Sequence, residues 1–256
     1  MKKFINLLCL FFLSFSSIKA EIIKEIIING NERVSDETIK IYGDVNIGED
    51  VNEKKINNIL RDLYDTNFFK EVEVKLEKNI LKVSVDEYPV INQLIIIGEP
   101  SNKTIEAMKD NISLKEKNSF IKSNLSNDIE TIKKLYSSIG YNFVNVEAKF
   151  NEIDSNNIDL VFEISKGEQT KISSITFIGD KKIRSKRLYD VIASEEDKFW
   201  KFLTRNTKFS ESLLNLDIRL LNNYYKSLGY YDVKITSNIA ELNKAGNFDL
   251  IYSIDA

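Results

Sequence analysis

The chain has 256 residues, 43% of them hydrophobic and 29% charged, which is apolar material for one large domain or two to three small ones and too much for disorder. It has no histidine, one cysteine, and 39 acidic residues against 36 basic ones. Histidine-based acid, base and metal chemistry is excluded, and the charge balance opposes a general nucleic-acid binder.

Residues 1–20, MKKFINLLCLFFLSFSSIKA, carry Lys2 and Lys3, an apolar run from Phe4 to Phe15 and a small-residue exit ending at Ala20. This is the layout of a cleaved signal peptide, so the mature chain is expected to begin at Glu21. Cys9 lies inside the apolar run rather than after it, so no lipid-attachment site is expected and the mature chain keeps no thiol. Each exported domain must then be held by its apolar core alone.

The remainder repeats one pattern three times. Each repeat opens on an apolar strand closed by a glycine: IKEIIING at Gly30, INQLIIIG at Gly98, ISSITFIG at Gly179. Ile26 and Ile28, Leu94 and Ile96, Ile175 and Phe177 keep period two before that glycine. A polar turn and a short helical segment follow, then a longer helix with apolar residues three and four apart. Its expected face is Ile56, Ile59, Leu60 and Leu63 in the first copy, Leu125, Ile129, Ile132 and Leu135 in the second, and Leu213, Leu216, Leu220 and Tyr224 in the third. Asp50 with Glu53 resembles a capping box, and Phe209 before Ser210 suits a hydrophobic staple on an N-capping serine.

The long helices end on Asn67, Gly140 and Gly229, residues that tolerate the left-handed conformation of a helix stop, and an aromatic (Phe68, Tyr141, Tyr230) then closes the core end. Two alternating strands complete each copy. Val72, Val74 and Leu76 face Leu81, Val83 and Val85. Val144 to Phe150 faces Ile158 to Ile164, and Val233, Ile235 and Ile239 face Phe248 to Ile254, with EKN, DSNN and NKAGN as turns. The expected fold is α+β: three strand-helix-helix-strand-strand units at 21–88, 89–167 and 168–256, folding separately along an extended chain.

GNERVSDETI with LYDTNFFKEVEV, EYPVINQLIIIG at the first junction, and DKFWKFLTRNTKFS in the third unit together resemble three consecutive POTRA domains of the Omp85 family. The resemblance implies a three-stranded mixed sheet under two helices in each unit, with the third strand between the first and second and both outer strands open. It also implies a non-enzymatic, cofactor-free periplasmic scaffold at the outer membrane, anchored by a C-terminal barrel. Its expected partners are unfolded outer-membrane proteins, accessory assembly lipoproteins and a periplasmic chaperone, with no nucleic acid. Another Omp85 member, TamA-like or a two-partner secretion transporter, shares the pattern; an FtsQ-like anchored division protein requires an uncleaved leader.

The acids are dispersed over turns and helix starts, where they meet the helix dipole, and do not read as a catalytic pair. The basic run KKIRSKR, Lys181 to Arg187, either attracts lipid phosphates or acidic partners or, the favoured reading, forms a solvated helix face. Phe199, Trp200 and Phe202 either cover their own helices or meet a domain or partner. Open edges recruit strands, and the strip Asp232 to Ala240 is the expected docking edge. Asp232, Lys234, Thr236 and Asn238 face outward there with little charge, whereas Glu71, Glu73, Lys75 and Glu77 guard the corresponding strand of the first unit. The resemblance points to the same edge for an accessory lipoprotein.

Overall fold

The computed structural model describes residues 21–198, 205–242 and 246–256. It divides into two compact units: one holds the described residues to Asn92 with 117–121 and 152–158, the other holds 93–116, 122–151 and 159–256. Residues 1–20, with the expected signal peptide, lie outside the described residues. Among the described residues no helix is long and apolar enough to cross a membrane.

The first repeat contains β1 (Glu21–Ile22), β2 (Glu25–Asn29), α1 (Asp36–Tyr42), β3 (Asp50–Val51), α2 (Glu53–Asp65), β4 (Phe69–Glu77) and β5 (Ile80–Glu87). Its sheet runs β2-β5-β4, with β2 parallel and β4 antiparallel to β5, so the third strand lies in the middle. Val72 faces Val85, Val74 faces Val83 and Leu76 faces Leu81, the register that the alternation demands. The N-cap of α2 is Asn52, whose side chain accepts from the Lys55 amide; Asp50 is instead paired with Ile22 in the small β1-β3 ladder. The capping-box reading was displaced because the chain stays extended through Val51.

The second repeat has β6 (Val90–Ile97), α3 (Asn102–Asn111), α4 (Asn124–Ser138), β7 (Asn145–Glu152) and β8 (Asn157–Ser165), in sheet order β6-β8-β7. The third has β9 (Ile172–Asp180), α5 (Ser185–Tyr189), a 3-10 turn (Arg205–Thr207), α6 (Glu211–Ser227), β10 (Lys234–Leu242) and β11 (Phe248–Asp255), in order β10-β11-β9. Ser210 caps α6 by accepting from the Leu213 amide, and Phe209 beside it packs on the same core.

The glycine that closes each first strand is fixed by the neighbouring strand. Gly30, Gly98 and Gly179 have φ of +84°, +90° and +86°, and a Cβ there would lie 2.1, 2.0 and 2.3 Å from the carbonyl oxygens of Val85, Ile164 and Ile254. No side chain fits that approach. The left-handed helix stops are also in place, at Asn67 (φ 58°), Gly140 (93°) and Gly229 (91°). Phe68 packs against the first core, and Tyr141 and Tyr230 meet Tyr136 and Tyr225 edge-on.

The face of α6 is rotated by one residue from the apolar count. Leu214, Asp217, Leu221 and Tyr225 are buried, while Leu213, Leu216, Leu220 and Tyr224 flank them half-exposed. In α4 the buried set is Asp128, Ile132 and Tyr136. Both stripes contain an acid at the same distance before the left-handed stop. Asp128 accepts from Ser113 N at 2.8 Å, Ser113 Oγ and Leu114 N; Asp217 accepts from Ala193 N, Ser194 N and, at 2.6 Å, Tyr252 OH. The matching residue of α2 is Lys55, which donates to the carbonyl and carboxylate of Asp44. The same helix position therefore ties down the loop between the two helices in every repeat, with the polarity inverted in the first.

Glu99, which follows the second glycine, is buried and holds the start of α3. It accepts from Ser101 N and from Tyr136 OH at 2.5 Å, with Lys166 at 3.4 Å. Burial opposes its charge, but these donors outweigh burial and leave its pKa below the ordinary value. Between the second and third repeats the joint is made by Thr170 N donating to Gly140 O, Gln169 Nε2 to Ile139 O, Asn142 Nδ2 to Phe209 O, and a stack of Phe143 on Phe248.

Candidate strand-binding edges

Each sheet has two outer strands, but they are not equally open. The chain entering each first strand, or the strand's first residues, is already paired with the loop between the helices. Ile23, just before β2, donates to Glu49 O and accepts from Gly48 N. On β6, Ile91 donates to Asn118 O and accepts from Lys117 N, and Val90 bridges Ser119. At β9, Ile172 O accepts from Asp197 N. The expectation that both outer strands stand open is therefore corrected at one end only: main-chain groups of the interhelical loop cover the N-terminal end of the first strand or the residue just before it.

The other outer strands are β4, β7 and β10. On β4 the outward amide of Val72 donates to Tyr64 OH at 3.1 Å, and Glu71, Glu73, Lys75 and Glu77 are exposed beside it. On β10 the direction of the amides follows from the glycine contact. Ile254 O points at Gly179 on β9, so the polar groups of Ile254 face β9 and not β10. Ile235 stands opposite Ile254 and Ser237 opposite Tyr252, so both are non-hydrogen-bonded pairs and the N–H and C=O of Ile235 and Ser237 point outward. Among the described residues, no side chain bonds these groups.

The expected site residues fall as follows. Lys234 and Thr236 are exposed on β10, with their amides turned toward β11. Asp232 lies in the turn before the strand and is not on the edge, because the strand begins at Lys234. Asn238 is on the edge at the point where a bulge, between Asn238 and Glu241, breaks the register. Bulges bend an edge and limit the length that can be paired. Ser237, which apolar alternation passed over, is the half-buried residue whose backbone presents the site. Phe199, Trp200 and Phe202 lie outside the described residues.

Among the described residues no cluster of three acids, histidines or cysteines could hold a metal. A cavity of about 680 Å³ at the joint of the second and third repeats is lined by Lys103, Thr104, Ser138, Gln169, Lys208 and Leu213 among others, without a carboxylate. In the basic run, Lys182, Arg184, Lys186 and Arg187 are exposed, but Lys181 is half-buried and donates to Phe177 O and Ser185 Oγ.

The family model for POTRA, the surface antigen variable number repeat, matches residues 89–167 and 170–256. The outer membrane protein assembly factor BamA of Neisseria meningitidis is 26% identical over 224 residues, covering 87% of this chain and 28% of the relative. BamA of Neorickettsia risticii is 29% identical over 225 residues, covering 87% of this chain and 30% of the relative. The chain thus spans less than a third of the length of these relatives. The crystal structure of Haemophilus influenzae BamA POTRA3-5 overlays 92% of this chain and 96% of its own, with 17% identity and a TM-score of 0.45. With its family model matched across most of its length and its sheets in the order first, third, second strand, the chain belongs to the POTRA family and is similar to the BamA assembly factors.

Proposed function

We propose that the chain is a non-enzymatic periplasmic scaffold of a BamA-like assembly factor, exported by its signal peptide to the inner face of the outer membrane. It receives unfolded outer-membrane proteins delivered by a periplasmic chaperone and docks accessory lipoproteins of the BamB and BamD kind, for assembly by a membrane barrel. The observation that carries this reading is the β10 edge, where Ile235 and Ser237 turn donor and acceptor groups outward. Main-chain pairing asks little of a partner's sequence, which suits a scaffold that handles many different chains.

The test is Ser237→Pro. A proline on an edge strand, with its missing N–H on the open side, leaves the sheet ladder intact and removes one donor to a partner. We expect a normal circular dichroism spectrum and at least a threefold loss of photo-cross-linking between a reactive group at Thr236 and an unfolded barrel segment. Thr236→Pro is the wrong probe for this purpose, since its amide serves β11. A folded Ser237→Pro protein that cross-links as the parent does overturns strand addition at this edge.

A further inference from the structure

The β9 edge of the third repeat is closed by more than the loop. The polar groups of Ile175, Phe177 and Gly179 point away from β11, because Ile254 is directed between Gly179 and its neighbours and Ala256 N reaches Asp180 O. Side chains of the same repeat meet them. Glu196 Oε1 accepts from Ile175 N at 3.1 Å, and Tyr189 OH donates to Ile175 O. Lys181 Nζ donates to Phe177 O at 3.0 Å, and Lys181 N donates to Gly179 O.

A carboxylate on an edge N–H and a hydroxyl on the adjoining C=O reproduce the acceptor and donor of a neighbouring strand. Burial, and then the Glu196 charge, keep the Tyr189 phenol above its ordinary pKa, so it stays a donor. The second repeat carries half of this device: Glu116 Oε1 accepts from Leu94 N at 3.2 Å, while the place of Tyr189, counted from the glycine, falls on the apolar Met108.

We infer that Glu196 and Tyr189, with Lys181, seal the β9 edge against extended peptide chains, so that a partner strand can join the third repeat only at β10. The sealed surface is the groove lined by Ile175, Tyr189, Ile192, Ser194 and Glu196. Its latent occupant is an extended segment of an unfolded chain, the same class of partner as at β10. The seal gives strand addition one direction: without it, a segment could pair with either side of one sheet, and two sheets could join edge to edge.

The inference deepens the strand-addition reading, and its test separates the two. In the folded chain, amide hydrogen exchange at Ile175 is compared among the parent, Glu196→Ala, Glu196→Gln and Tyr189→Phe with Glu196→Ala. Glutamine keeps an acceptor oxygen, so we expect Ile175 to exchange at least tenfold faster in the alanine variants and near the parent rate in Glu196→Gln. Photo-reactive groups at Thr176 on β9 and Thr236 on β10 then report capture of an unfolded barrel segment. The parent should cross-link from Thr236 alone, and the double variant from both. If Ile175 exchanges equally in parent and alanine variants, or if the double variant exchanges fast and still captures only at Thr236, the seal is refuted. If the parent captures at neither position, strand addition fails as the function, and the exchange comparison with its glutamine rescue decides the seal alone. Should the double variant not fold, the single Glu196→Ala and Glu196→Gln pair carries the same comparison.

Discussion

Replacing Gly179 by alanine should damage the third repeat far more than replacing Gly229, although the two have nearly the same backbone conformation. Gly179 has φ +86° and Gly229 φ +91°, so an alanine at either meets the same left-handed penalty, about 1–2 kcal/mol. At Gly229 nothing lies within 4 Å of the added Cβ, and the penalty ends there. At Gly179 the Cβ would lie 2.3 Å from Ile254 O and 3.3 Å from the carbonyl carbon and amide nitrogen of the same residue. That oxygen belongs to the central strand and cannot swing aside like a side chain, so β9 and β11 must separate. Overpacking of this kind adds about 1–3 kcal/mol, giving about 2–5 kcal/mol in all. Against a domain stability of about 5–15 kcal/mol this is a large fraction. Urea unfolding, followed through the hydrogen exchange of amides in the third repeat, should show it. With a slope of about 1–3 kcal/mol per molar, the midpoints of the two variants should differ by roughly 1 M. Equal shifts for Gly179→Ala and Gly229→Ala would refute the close-approach argument and leave only the dihedral one.

Two further outcomes are expected. The pKa of Glu99 is lowered in the fold, so its contribution is present above the unfolded value near 4.5 and is lost as the pH falls through the folded value. Thermal melting of the parent should therefore decline more steeply below about pH 5 than that of Glu99→Gln, and parallel curves would remove Glu99 from the acid response. The hydroxyl of Tyr252, pushed by burial far above its ordinary pKa, donates to Asp217 Oδ2. Tyr252→Phe should lower the stability of the third repeat by about 1–3 kcal/mol in urea unfolding, and an unchanged midpoint would show that the bond adds nothing.

The strand phases were legible because one face of each sheet is buried, and a period of two cannot slip by a residue without turning that face outward. Thus Val72, Val74 and Leu76 find their partners as expected. The helices read less well for an identifiable reason. In α6 the buried stripe runs through Asp217, and a count of apolar residues steps around an acid and settles on Leu213, Leu216, Leu220 and Tyr224 instead. A buried carboxylate is stable there only because amides of a distant loop meet it, which periodicity does not reveal. The edges were the least legible part. Alternation tells which side chains face the core but not which amides face outward; that depended on Ile254 O pointing at Gly179, a contact between residues far apart in sequence. The loop residues that meet the start of the first strands use main-chain groups and leave no mark in residue type.

Under the proposed strand addition, the edge geometry also limits how tightly a partner strand can be held. Before the bulge, β10 presents the outward groups of Ile235 and Ser237, two N–H donors and two C=O acceptors. At a net of about 0.5–1.5 kcal/mol per hydrogen bond, they supply about 2–6 kcal/mol. Association and the ordering of an unfolded segment cost about as much or more, so the main chain of this edge alone holds a short peptide no better than millimolar. Tight capture needs either side-chain burial beside the edge or a second contact on the same long chain, which multiplies weak affinities through effective concentration. Further edges fit the second route only selectively: β4 of the first repeat is blocked at Val72 by Tyr64 and bordered by Glu71, Glu73 and Glu77, and β9, on the far side of the sheet that holds β10, is met at Ile175 by Glu196 and Tyr189. Under the proposed strand addition, weak pairing at the β10 edge would let a chain be held at several contacts and released segment by segment, which strong pairing would prevent.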